Sequence, residues 1–207
     1  MASAIIHIAV ANEVNKKVHR DPSQYLLGSI APDIAKIVGI DRNTTHFKSE
    51  TQQEPDIDKF LSKYKNNLDD DFVFGYYIHL LTDYFWFKYF YTEFVDDNIV
   101  TTLDNNKIRL TKKELEKFIY NDYTNMNIKL IDEYELELRI FYNEIPEIKQ
   151  IISEIPMDKL DVLRDKMALI IQNSEEKKDY LFNVDNVKRF ISLTTDLIIG
   201  ILSDKKE

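Results

Sequence analysis

Long segments with helical periodicity dominate the chain, so the pattern predicts a mainly α-helical protein. A first helix over residues 3–19, with Ser3 as its N-cap, turns His7, Val10, Ala11, Val14 and Val18 inward. A short helix over 23–29 must end before Pro32, because the residue before a proline avoids the α region. Ala31-Pro32-Asp33 is then expected to be an extended turn that presents Asp33. Residues 40–55 are polar, carry Arg42 and His46, and read as a loop; residues 56–67 read as an exposed helix. The segment 71–95 is apolar almost all round, which predicts a helix through the centre of the protein. Two short stretches, 99–103 and 107–110, flank Asp104-Asn105-Asn106 and suit a small β-hairpin or an irregular loop. Thr111 and Glu114 form a capping-box pattern that opens a helix over 112–142. Amphipathic helices over 144–153, 157–173 and 185–203 complete the prediction, punctuated by Pro146 and Pro156.

Composition supports this picture and narrows the chemistry. A chain of 207 residues fits one domain with a sizeable core, and 4 Gly with 5 Pro are too few for a turn-rich all-β fold. The expectation is therefore a single all-α domain spanning 1–207, with room for one small hairpin. The formal net charge of −9 disfavours extended nucleic-acid binding and docking on anionic lipid. There is no cysteine, so thiolate metal sites and disulfides are impossible. Any transition-metal site must use carboxylates and the histidines His7, His19, His46 and His79. The N-terminal segment lacks the basic start and unbroken apolar run of a signal peptide, and no transmembrane segment is expected. A cytoplasmic protein is the resulting expectation.

The stretch GYYIHLLTDYFW, residues 75–86, places two polar groups in an apolar run. His79 and Asp83 are four apart, so on a helix they share a face and can chelate one metal ion. The same spacing also serves as a hydrogen-bonded core pair, and Arg42, Lys48 or another lysine could neutralise Asp83 instead. His19, near the end of the first helix, reads as a favourable C-terminal cation. Arg42 and Lys48 flank His46 and are either solvated or candidates for phosphate oxygens. The aromatic residues around His79 read as core, with Tyr76 placed to line the site.

Taken together, His7, Gly28-Ser-Ile-Ala-Pro-Asp33, Thr45-His46-Phe47 and Gly75-Tyr-Tyr-Ile-His79-x-x-x-Asp83 occur in the order seen in bacterial zinc-dependent phospholipase C proteins. The chain resembles that all-helical family, which is related in fold to the S1/P1 nucleases, over about residues 4–90. The resemblance implies that Asp33, His46, His79 and Asp83 hold one zinc, and that Asp83 bridges to a second ligated by His7. It also implies that Asp33 assists as a base beside the nucleophile. Manganese or iron suits the same nitrogen and oxygen ligands. This chain departs from the family pattern in three places. It has no N-terminal tryptophan to complete the second site and no histidine after His79 for a third, and it lacks the export signal common in the family. One metal site is thus expected, with a second possible. The implied activity is metal-dependent hydrolysis of a phosphodiester or phosphomonoester, on a small molecule or a phospholipid headgroup. The alternatives are a non-catalytic relative with a structural metal and a nuclease or nucleotidase.

Overall fold

A computed structural model describes residues 1–136, 138–172 and 178–204, and most of them lie in helices. Ser3 caps α1 (Ala4–Val18) by accepting the Ile6 N–H, and His19 closes it in the left-handed region at φ 56°. His7, Val10, Ala11 and Val14 are buried, as the inward stripe predicts. Asp21 caps α2 (Pro22–Gly28), whose first turn tolerates Pro22 because the missing N–H would be unpaired there anyway. Asp33 does not sit on an extended turn. It lies in a 3₁₀ turn, Ala31–Ile34, where Pro32 again occupies a first-turn position, and α3 (Ala35–Val38) follows directly.

Within the stretch expected to be loop, Asp41 accepts the Asn43 N–H and opens α4 (Arg42–Thr45). A four-residue helix has no apolar period, which is why the pattern misses it. Asp56 caps α5 (Ile57–Tyr64), which is less exposed than expected because Phe60 and Tyr64 are buried. The central helix is α6 (Asp71–Phe85), capped by Asp70. It widens into a π-helical turn, Trp86–Tyr91, and ends in α7 (Thr92–Phe94).

Two glycines set the crossing of α2 and α6. A Cβ on Gly28 would lie 2.2 Å from the Phe72 carbonyl oxygen, and one on Gly75 would lie 2.0 Å from the Tyr25 carbonyl oxygen. Only hydrogen fits at either position, so the two backbones touch. This contact carries Ser29, just past α2, against the middle of α6.

A small antiparallel sheet follows in the order β1 (Val95–Asp96), β2 (Ile99–Thr101), β3 (Lys107–Arg109). Val100 pairs with both Val95 and Ile108, so the hairpin expectation holds and a short extra strand precedes it. The capping box forms, with Thr111 and Glu114 bonded reciprocally at the start of α8 (Lys112–Glu133). That helix is shorter than predicted: the chain turns at Glu135, with φ 47°, into a 3₁₀ segment, Leu138–Phe141. The helix expected over 144–153 is absent, and the backbone there is irregular. Pro146 and Pro156 confine it to a span too short to be helical on its own. Two further helices, α9 (Leu160–Gln172) and α10 (Val184–Asp204), close the fold. Residue 173, the predicted end of α9, lies outside the described residues, as does 137 within the predicted 112–142 helix. The helices α6, α8 and α10 all pack on α1, and Trp86 meets Phe90, Phe182 and Phe190 in an aromatic cluster at the end of α6. Among the described residues, no helix is long and apolar enough to cross a membrane.

Candidate metal centre

Five side chains meet where α1, the 3₁₀ turn, α4 and α6 converge. His7 comes from α1, Asp33 from the 3₁₀ turn, His46 from the C-cap of α4, and His79 and Asp83 from one face of α6. All but Asp33 are 0% exposed. The His7 and His79 rings stack, with centroids 3.7 Å apart and planes 10° from parallel. His46 Nε2 lies 3.2 Å from His79 Nε2, and 3.7 Å from both Asp33 Oδ1 and Asp83 Oδ2. His79 Nε2 lies 3.8 Å from Asp83 Oδ2. Ligand atoms of His7, His79 and Asp83 all fall within 4.8 Å of one another, and so do those of Asp33, His46 and His79. The two groups share His79 and could each hold a metal ion.

The hydrogen bonds aim these groups inward. The Nδ1–H of His79 donates to the Ser29 carbonyl at 2.8 Å, which leaves Nε2 with its lone pair turned to the cluster. His46 Nδ1 is held by the Arg42 carbonyl at 3.2 Å and the Thr45 hydroxyl at 2.9 Å. The Tyr76 hydroxyl donates to the Thr45 carbonyl and ties α4 to α6. Asp83 Oδ1 accepts the Ala2 N–H at 3.1 Å, and Tyr123 donates to the Met1 carbonyl beside it. His7 Nε2 is 3.4 Å from Asp83 Oδ1 but lacks hydrogen-bonding geometry, so neither ring nitrogen of His7 has a partner. Asp83 Oδ2 has none either. Buried polar atoms left this way cost free energy unless something coordinates them.

Charge follows the same design. Burial pushes the His79 imidazole well below its usual range, and the neighbouring His7 adds to this. Burial also lowers His46, although the nearby Asp33 carboxylate opposes it. Burial alone would raise both carboxylates. At Asp33 the neighbouring imidazoles, His46 first, outweigh it, and at Asp83 His7 does so, holding both below the ordinary carboxylate range. His46 and His79 are thus held towards the neutral form and Asp33 and Asp83 towards the ionised one, the protonation states that metal ligation requires.

The five predicted residues are thus brought together, while His19 caps α1 at an exposed position away from them. Sequence reasoning missed the Ser29 carbonyl and the Ala2 N–H, which are main-chain groups without a side-chain signature. Tyr76, expected to line the site, is buried and supports α4 through the Thr45 carbonyl. Comparison with known protein families, with curated proteins and with solved structures finds no match to this chain. The chemistry of the site therefore has to be argued from these side chains.

Proposed function

We propose that the protein is a metal-dependent phosphoesterase of the zinc-dependent phospholipase C type, with zinc held by His7, Asp33, His46, His79 and Asp83. One observation carries this reading: three histidines and two carboxylates from four separate elements converge with unpartnered buried atoms facing one another. A zinc ion bound there would supply a Lewis acid for a phosphoester oxygen and an acidified water at neutral pH.

The chain's own residues have distinct parts. Ser29 and the Arg42 carbonyl orient His79 and His46. Asp83 faces three imidazoles and would balance the positive charge of a bound metal. Asp33 is the one partly exposed member, its side chain 13% accessible, so it is the carboxylate that can meet substrate and accept a proton from water. A structural metal that only staples the helices is the second reading, favoured by the complete burial of the other four residues.

The test is a titration of metal-free protein with zinc, manganese and iron, followed by phosphomonoester and phosphodiester assays. We expect at least one zinc per chain, loss of binding in His79→Ala, and zinc-dependent hydrolysis that Asp33→Asn reduces at least ~100-fold. No metal uptake sinks the proposal. Tight zinc binding that raises the melting temperature without any hydrolysis decides for the structural metal.

A further inference from the structure

We infer that Arg42, with Lys48 beside it, forms an oxyanion subsite next to His46 that selects a phosphomonoester dianion over a phosphodiester. The inference rests on the phosphoesterase reading above and narrows its substrate class.

Arg42 opens α4 one turn before His46, and its carbonyl holds the His46 ring. Its side chain has another use. Guanidinium Nε and Nη2 are both buried, and neither has a hydrogen-bond partner. These two nitrogens form one edge of the guanidinium, the edge that grips two oxygens of a phosphate in parallel. No described carboxylate makes an ion pair with it, although Asp33 and Asp83 lie in the same cluster as His46. An unpartnered buried fork is costly, so its position needs a ligand to account for it.

A second cation stands close by. Lys48 lies two residues past His46, partly buried, with its ammonium 4.4 Å from the centre of the Phe87 ring. The ring occupies one side of the ammonium and leaves its N–H donors to be satisfied elsewhere. Arg42 and Lys48 carry like charges and flank His46 in the chain, and an anion between them offsets both charges and supplies the missing hydrogen bonds.

The charge count then selects the anion. A diester carries one negative charge and two non-bridging oxygens, which a metal held by the cluster would claim ahead of the guanidinium edge. A monoester carries a second charge and a third oxygen. The same terminal phosphate is present in inorganic phosphate, so that ion is the simplest probe.

The experiment compares binding of inorganic phosphate and dimethyl phosphate at pH 8 to the zinc-loaded full chain, by calorimetry, in wild type, Arg42→Gln, Arg42→Lys and Lys48→Gln. Zinc stoichiometry is measured in each and reports that the site is intact. Arg42→Gln should weaken phosphate about 10–100-fold, the range for lost charge-assisted hydrogen bonds, and dimethyl phosphate less than about 3-fold. Arg42→Lys keeps the charge without the fork and should fall between; it also serves if the glutamine variant does not fold. Lys48→Gln should weaken phosphate by a smaller factor. A zinc-loaded Arg42→Gln protein that binds phosphate as wild type does, or loses both ligands equally, overturns the inference alone. A wild-type chain that takes up no zinc overturns the phosphoesterase reading itself.

Discussion

Asp83 and Asp122 are both fully buried on helices that pack against α1, yet they face different groups. Asp122 Oδ1 accepts the Tyr180 N–H at 2.7 Å, and its Oδ2 accepts the Leu181 and Phe182 N–H groups at 2.8 and 3.2 Å. It clamps that segment to α8 and seats Phe182 against Trp86. Asp83 receives one main-chain N–H, from Ala2, keeps Oδ2 unpartnered and looks at three imidazoles. The electrostatics diverge accordingly. Burial dominates at Asp122 and raises it to about 6 against the pull of three amides, whereas His7 outweighs burial at Asp83 and lowers it. Burial of a carboxylate therefore does not by itself mark a site. What marks it is whether main-chain donors use up the lone pairs or leave them aimed at other ligand atoms.

The comparison breaks most directly at these two residues. Asp122→Ala strands two buried N–H groups and a partly buried third and should cost about 3–5 kcal/mol of stability in urea unfolding, while the folded fraction still binds metal with wild-type stoichiometry. Asp83→Ala should shift metal-free stability by only about 1 kcal/mol, because it removes an unsatisfied oxygen along with one hydrogen bond. It should lower metal affinity at least ~100-fold. If Asp83→Ala proves the more destabilising of the two in the absence of metal, the division between scaffold and site is wrong.

The glycine crossing sharpens the same division from a distance. In Gly75→Ala the new methyl would overlap the Tyr25 carbonyl and force α2 from α6, at about 3 kcal/mol. Because Ser29 moves with α2, His79 loses its anchor, and metal affinity should fall although Gly75 touches no ligand atom of the cluster. Gly200→Ala is the control: it lies in α10 with open space around it and should stabilise by about 0.5–1 kcal/mol with no change in metal binding. Thermal melts with parallel zinc titrations measure both. Equal metal affinity in Gly75→Ala would mean that the cluster holds itself together without α2.

Periodicity alone places His7 inward on α1 and sets His79 and Asp83 on one face of α6, because those helices are long. It cannot bring Asp33 and His46 to them, since one lies on a 3₁₀ turn and the other ends a four-residue helix. Only the resemblance in motif order, not any periodicity, points to those two residues. The clamp at Asp122 was invisible for another reason: its partners are main-chain amides 58–60 residues away, and amides carry no sequence signal. The segment 144–153 misled because its isoleucines mimic a helical stripe. Instead the chain is tied down by main-chain and side-chain bonds to α5, with Tyr64 accepting the Ser153 N–H at 3.0 Å and donating to Glu154 at 2.6 Å.

The smallest expected effect is a pH dependence in which the two regions pull in opposite directions. Burial lowers His46 and His79 from their usual 6.5, so as pH falls through that value the unfolded chain takes up protons that the folded cluster refuses. Stability contributed by the site is therefore full above ~6.5 and declines below it. Asp122 behaves oppositely: its folded value is about 6 against 3.8 unfolded, so its favourable contribution is full below ~4 and is lost as pH rises through 6. Between pH 7 and pH 5 the histidines reduce stability and Asp122 partly offsets them. Metal-free wild type should melt a few degrees lower at pH 5 than at pH 7. Asp122→Asn, which cannot titrate, should show a steeper fall over the same range, measured from its own lower starting point. A melting temperature that rises toward pH 5 would mean that the imidazoles are charged in the folded state, and a charged imidazole is no metal ligand.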